Sequence, residues 1–254
     1  MQLPQAPSFS LSGKRALVTG AGRGIGQAIA AGLAQAGAAV TLIARTTAEI
    51  EQVAQEISKA GGKAKAVALD ITDLEKTAAL VNAEETFDIL VNNAGTNIYA
   101  PFLDVQIKDF DTMVNLNQRA LFFTSQAVAK KLIASGMPGS IINISSQMGI
   151  VGGPNRSAYC GTKHAVEGMT KAMAIELGPH NIRVNTICPT FIETEMSKKF
   201  ITDPTVKQGI VNKIKLNRLG RVEDIMGGVV YLASDAAALV TGTALVIDGG
   251  WTAE

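Results

Sequence analysis

Tyr159 and Lys163 stand four residues apart with no proline between them, and Ser146 precedes them by one short segment. On a helix, that spacing puts both side chains on one face about one turn apart, so a phenol and an ammonium share a site. A free tyrosine titrates near pH ~10, and a fixed cation nearby favours its phenolate, each unit of displacement corresponding to about 1.4 kcal/mol. The spacing therefore predicts a tyrosine drawn toward neutrality, able to exchange a proton with a carbonyl or alcohol oxygen and worth roughly 10²–10⁴ in rate. The Ser146 hydroxyl would hold the same oxygen. A half-buried tyrosine beside a solvated lysine shows the same spacing, so the surrounding elements must decide.

Those elements begin with RALVT (15–19), a short apolar run that ends at glycine and leads through GAGRGIG into helix formers. Strand, glycine-rich turn and helix is the arrangement in which backbone amides receive a phosphate. Gly20, Gly24 and Gly26 suit a tight turn, close approach to a pyrophosphate and helix–strand packing. A second buried strand pattern, AAVTLIA, ends at Ala44 and Arg45, where dinucleotide folds choose between cofactors. An acid there would bind the ribose of NAD. Arg45, helped by Arg23 in the glycine loop, suits the 2′-phosphate of NADP instead.

Further strands are expected in KAKAVALD, closing at Asp70, in FDILV, in GSIINISS, in IRVNTICP and in TALVIDGG, with helical patterns between them. This alternation implies a doubly wound, mostly parallel sheet of seven strands with helices on both faces. Asn93 and Gly95 follow the fourth strand and Ser146 ends the fifth, so they share the carboxyl edge where such sheets bind ligands; Asn93 and Gly95 equally suit a plain turn. One long helical region is expected from about Val105 to Ser135, with Asn115 and Asn117 among apolar residues, each a structural hub or an active-site group. From about 190 to 220 the periodicity fades, which suggests a flap over the substrate with one or two short helices.

Composition narrows the function. With 254 residues, 47% of them hydrophobic, the chain can bury a large core, and no linker divides it. A net charge of +1 and 5% aromatic residues give no reason to expect nucleic acid or an anionic membrane. The opening MQLPQAPSFSLSGK lacks the apolar run of a signal peptide. Cys160 and Cys188 are too few for a disulfide framework or a zinc site, so a reducing cytoplasm is the expected compartment and no metal is expected. Cys160 reads as a packing residue rather than a nucleophile.

The motifs TGAGRGIG (Thr19–Gly26), Asp70, NNAG (Asn92–Gly95), Asn117, Ser146, YCGTK (Tyr159–Lys163), PTFIET (Pro189–Thr194) and DGG (Asp248–Gly250) occur in one order along essentially the whole chain. In this the sequence resembles the classical short-chain dehydrogenase/reductase family. The resemblance implies a single Rossmann-like α/β domain and hydride transfer between a nicotinamide and a carbonyl or alcohol. It implies Tyr159 as general acid/base, Lys163 on the nicotinamide ribose and lowering the tyrosine pKa, Ser146 orienting the substrate oxygen, and Asn117 holding a water of the proton relay, with Asn115 structural. It further implies cofactor contacts from Gly20, Gly22, Arg23, Gly24, Ile25, Gly26, Arg45, Asn93, Ala94, Gly95 and Pro189. Asp70 and Ile71 would touch the adenine, and Ile192 and Thr194 the carboxamide. A homotetramer, or a dimer, is the expected assembly. Thr190 departs from the pattern, since many members have glycine there, and the stretch between Asp73 and Asp88 is a few residues short.

The function expected is NADP(H)-dependent interconversion of carbonyl and secondary alcohol on a small polar substrate such as a sugar, polyol or keto acid. The start FSLSGKRALVTG and end DGGWTAE resemble bacterial sugar and polyol dehydrogenases. The rival is 3-oxoacyl-thioester reduction, although few arginines lie near Met137 and His180, where a carrier protein would dock. A non-catalytic NADP-binding sensor is a third reading, and it has no use for an intact serine, tyrosine and lysine.

Overall fold

In the computed structural model, which describes residues 3–198, 201 and 203–253, seven strands form one sheet. They are β1 (Arg15–Thr19), β2 (Ala39–Ala44), β3 (Lys63–Ala68), β4 (Ile89–Asn92), β5 (Gly139–Ile144), β6 (Ile182–Pro189) and β7 (Ala244–Ile247), in the order β3-β2-β1-β4-β5-β6-β7. Every pairing is parallel, where the sequence led us to expect a mostly parallel sheet.

Alternation along the central strands explains why both faces are covered. Ala16 and Val18 of β1, Ile89 and Val91 of β4, and Ile142 and Ile144 of β5 enter one core. Leu17, Leu90 and Ile141 enter the other. With side chains pointing alternately up and down, such strands must be packed on both sides. The first core is closed by α1 (Gly24–Gln35), α2 (Thr47–Lys59) and α9 (Glu223–Ala233). The second is closed by α3 (Leu74–Ala83), α5 (Leu121–Ala134) and α6 (Ser157–Leu177).

The chain runs outward from β1 to β3 and then returns to pair β4 against the other side of β1, with Val18 beside Val91. The carboxyl ends of β1 and β4 therefore diverge into a crevice, the usual ligand position of an open α/β sheet. A buried amide chain fixes that region. Asn92 Nδ2 donates to Ser125 Oγ at 2.8 Å and to Asn143 Oδ1 at 2.9 Å, and Asn143 Nδ2 donates to Thr170 Oγ1 at 2.9 Å. Two strands, α5 and α6 are thus locked to one another.

The single long helix expected from Val105 is instead α4 (Ile107–Val114), a π-helical turn at Asn115–Ala120, and α5. The apolar pattern alone does not distinguish the wider turn, and π turns recur at functional sites. In the stretch expected to form a flap, the short helices are α7 (Glu195–Lys198) and α8 (Pro204–Val211); residues 199, 200 and 202 lie outside the described set. No described helix is long and apolar enough to cross a membrane.

Candidate active site

A cleft of about 720 Å³ follows the carboxyl edge of the sheet from the glycine loop to Tyr159 and Lys163. Its near wall shows why glycine is needed. Gly20 and Gly24 adopt φ of +64° and +57°, in the left-handed region. A Cβ at Gly26 would lie 2.2 Å from the Gly20 carbonyl oxygen and 2.4 Å from Asn93 Nδ2. The same Asn93 amide donates to Thr19 O at 3.0 Å and Gly20 O at 3.1 Å, while Thr19 Oγ1 accepts from the Asn93 and Ala94 amides at 3.1 Å. Asn93 thus ties the end of β4 to the loop after β1. α1 begins at Gly24 with no capping side chain and no acid in its first turn, leaving its amides and dipole to an anion.

At one end of the cleft Ala44, Arg45, Leu69, Asp70, Ile71 and Thr72 form the walls. Arg45 is 76% exposed and lies 4.0 Å from Asp70, and Arg23 reaches Glu49 Oε1 at 3.1 Å. The sequence suggested no acid beside these arginines; the fold brings two, from α2 and from the end of β3. Both pairs are solvent-exposed and therefore weak, so neither immobilises its guanidinium.

At the other end Ser146 leaves β5, and α6 carries Tyr159 and Lys163. α6 forms because nothing in SAYCGTKHAVEGMTKAMAIEL breaks it, and Pro179 follows its last turn. Cys160, Lys163, Val166, Thr170 and Ala174 make its buried stripe, so Lys163 is drawn inward by apolar neighbours one turn either side. The Ser146 Oγ accepts from the Met148 amide at 3.1 Å, and its hydroxyl acts to lower the pKa of Tyr159. Lys163 Nζ donates to the Ile144 carbonyl at 2.8 Å and lies 5.7 Å from the centre of the Tyr159 ring.

The electrostatics correct one expectation. Tyr159 is not drawn toward neutrality: burial pushes it up to about 12, with the Ser146 hydroxyl and then the Arg156 charge opposing the rise. Lys163 cannot counter this, because burial drives it the other way, down to about 8, and the nearby Cys188 and Glu167 only partly restore its charge. Its ammonium is also aimed at the Ile144 carbonyl rather than at the phenol oxygen.

These features fit a dinucleotide. The glycines leave room that a side chain would fill, α1 presents unused amides, arginines stand at one end and an acid–base pair at the other. A family model described as enoyl-(acyl carrier protein) reductase matches residues 20–252. D-erythrulose reductase of Gallus gallus is 41% identical over 245 residues, covering 96% of this chain and 98% of that protein. The chain belongs to the short-chain dehydrogenase/reductase family. L-xylulose reductase of Bos taurus is 40% identical over 243 residues, with 96% and 98% covered. A gluconate 5-dehydrogenase from Burkholderia cenocepacia, solved in complex with NADP and tartrate, superposes with a TM-score of 0.93 at 34% identity, covering 97% of this chain and 98% of that one.

Most residues implied by membership of the short-chain dehydrogenase/reductase family line the cleft: Gly20, Gly22, Arg23, Gly24, Ile25, Gly26, Arg45, Asp70, Ile71, Asn93, Ala94, Gly95, Ser146, Tyr159, Lys163, Pro189 and Thr194. Two side chains do not. Ile192 is 4% exposed and packs in the core beside Gly220, so only its backbone is available to a ligand. The Asn117 amide is spent internally: Nδ2 donates to Thr96 O at 2.9 Å and Thr162 Oγ1 at 3.1 Å, and Oδ1 accepts from Thr96 N at 2.8 Å. Asn115, expected to be structural, lies on the cleft wall instead. Asn97, Arg119, Glu49 and Thr190 also line the cleft, and sequence reasoning assigned none of them a contact. Only Thr190 carried a signal, as the departure from glycine after Pro189.

Proposed function

We propose that this protein is an NADP(H)-dependent oxidoreductase that interconverts a carbonyl and a secondary alcohol on a small polyhydroxylated substrate. The observation that carries the reading is the Ser146–Tyr159–Lys163 group at the end of a cleft that starts at the glycine loop. The nicotinamide, when bound, supplies or accepts the hydride. In the reductive direction Tyr159, protonated below about 12, donates its proton to the carbonyl oxygen as a general acid, and Ser146 holds that oxygen by a second hydrogen bond. Lys163 replaces the proton: with a pKa of about 8 it is a far stronger acid than the phenol. Gly95 sits between Lys163 Nζ and Asn117 Oδ1, since a Cβ there would lie 3.8 Å from one and 3.2 Å from the other. Asn117 thus lies close to Lys163, and the backbone of its π-helical turn would hold the relay water. Arg45 and Arg23 serve the 2′-phosphate.

A polar substrate is supported by two buried oxygens of cleft-wall residues, Asn97 Oδ1 and Thr190 Oγ1, which have no partner among the described residues, because such atoms are costly unless a ligand or water satisfies them. An acyl thioester offers them less. A sensor function finds no support in an intact serine, tyrosine and lysine. The single domain is completed by the stretch at about 190–220 acting as the substrate flap. Assembly as a homotetramer is supported by exposed Phe102, Leu103 and Ile107 before and on α4, and by Ile175 on α6. Two buried free cysteines suit a reducing cytoplasm.

The test is the initial rate of nicotinamide oxidation with NADPH and separately NADH, against ketoses, small diketones, keto acids and an acetoacetyl thioester. Faster turnover of polar carbonyls with NADPH is expected. A clear thioester preference would refute the substrate reading, and a preference for NADH would refute the cofactor reading.

A further inference from the structure

Arg156 is the residue before α6, one helical turn ahead of Tyr159. Its guanidinium carbon lies 4.3 Å from the centre of the Tyr99 ring and 4.7 Å from that of Phe191, and one N–H donates to the Tyr99 hydroxyl. Tyr99 follows β4 and Phe191 follows β6, so the cation is gripped by two segments that border the catalytic end of the cleft. Phe191 is itself braced by Trp251, at 5.6 Å between ring centres. A guanidinium held between aromatic faces loses little further freedom when it binds a ligand.

Among the described residues no carboxylate makes a salt bridge with Arg156, whereas Arg23, Arg45 and Arg218 each have one. A guanidinium has five N–H donors in a planar fork, and the neutral Tyr99 hydroxyl accepts from one of them. Arg156 lies just behind the cleft wall formed by Asn97, two residues before Tyr99, and Thr190, one before Phe191, and its charge opposes the rise of the Tyr159 pKa. A partly buried, positionally fixed cation one helical turn from Tyr159, with no carboxylate partner among the described residues, calls for an anion, and a planar fork matches a carboxylate in bidentate fashion.

We propose that Arg156 is a specificity-determining residue that receives the carboxylate of the substrate, so that the enzyme acts on sugar acids and related hydroxy- or keto-acids in preference to neutral sugars. This rests on the hydride-transfer reading of the Tyr159 site and selects one substrate class within it. A purely structural Arg156, stapling Tyr99 to Phe191, would serve charged and neutral substrates equally.

The experiment compares the wild type with Arg156→Gln and Arg156→Lys on a keto-aldonate, a neutral ketose of similar length and a small neutral diketone. Binding of the aldonate to the NADP⁺-loaded protein is measured by calorimetry alongside. The wild type is expected to favour the acid over the neutral ketose by at least tenfold in kcat/KM. Arg156→Gln is expected to raise KM for the acid at least tenfold and to weaken aldonate binding equally, while kcat/KM for the diketone, which senses only the changed charge near Tyr159, falls no more than about threefold. Arg156→Lys should recover part of the loss, since it keeps the charge without the fork. Equal losses on acid and diketone, or no aldonate binding by the loaded wild type, would overturn the assignment. Turnover of neutral ketoses without acid preference would overturn it while leaving the hydride-transfer reading intact; absence of turnover on every carbonyl would refute that reading and with it the substrate assignment, and aldonate binding sensitive to Arg156 would then show only the carboxylate contact.

Discussion

Replacing Gly26 by alanine places a methyl carbon 2.2 Å from the Gly20 carbonyl oxygen and 2.4 Å from Asn93 Nδ2. The first gap is about 1.2 Å short of the 3.4 Å at which ordinary contact begins, and the obstacle is backbone rather than the end of a flexible side chain. Either the loop after β1 or the start of α1 must move by roughly that distance, and overpacking of this kind costs about 1–3 kcal/mol of stability. The same shift breaks the bond from Asn93 to Gly20 and misdirects the loop amides. A hydrogen bond to a charged group is worth about 1.5–3 kcal/mol, so losing one such contact to a pyrophosphate weakens NADPH binding roughly 10- to 150-fold. The assay is a calorimetric titration with NADPH, with a thermal melt of each free protein to confirm folding. At Gly22 the nearest obstacle to a Cβ is Glu49 Oε2 at 2.9 Å, which can swing outward, and the fixed Glu49 Cβ stands at 3.1 Å, so Gly22→Ala should lose less. A folded Gly26→Ala protein with wild-type affinity would refute the claim that this loop cradles the phosphates.

Three further outcomes are expected. Arg45→Asp should shift preference from NADPH toward NADH, measured as the ratio of kcat/KM values; an unchanged ratio would place the phosphate site elsewhere. The pH profile of kcat/KM for carbonyl reduction reports the free enzyme, in which Lys163 is protonated below about 8 and Tyr159 below about 12. Activity should therefore be level near pH 6–7 and fall as the lysine loses its proton through about 8, so a profile flat to pH 10 would contradict the assigned proton route. Gly227 lies exposed inside α9 with nothing within 4 Å of an added Cβ, so Gly227→Ala should raise stability by about 0.5–1 kcal/mol, whereas at Gly228 the Cβ would meet Ile247 Cδ1 at 2.7 Å and bring no gain. Equal melting shifts for the two variants would show that helix propensity alone governs both.

The fold was legible wherever an apolar run ended at a turn signal. RALVT coincides with β1, and the run ending at Ser146 contains β5. Gathering the glycine loop, Asn93 and Ser146 on one edge required only the rule that parallel strands present their carboxyl ends together. The π turn at Asn115–Ala120 was not legible, because the apolar spacing around Asn117 suits an α-helix equally well. The Tyr159 pKa was misjudged because spacing reveals a neighbour but not burial, and burial outweighs the lysine at this site. Glu49 and Arg156 escaped notice for the same reason: their significance lies in contacts across 26 residues to Arg23 and 57 residues to Tyr99, which no local pattern encodes.

The central claim is that Tyr159 delivers the proton at the end of the cofactor cleft, and the direct test is Tyr159→Phe with NADPH and a polar ketone. The substitution removes one oxygen and leaves the ring against Lys163, so NADPH affinity should stay within about twofold of wild type while kcat falls by roughly 10²–10⁴. A variant that binds NADPH normally and turns over within a few-fold of wild type would contradict the account.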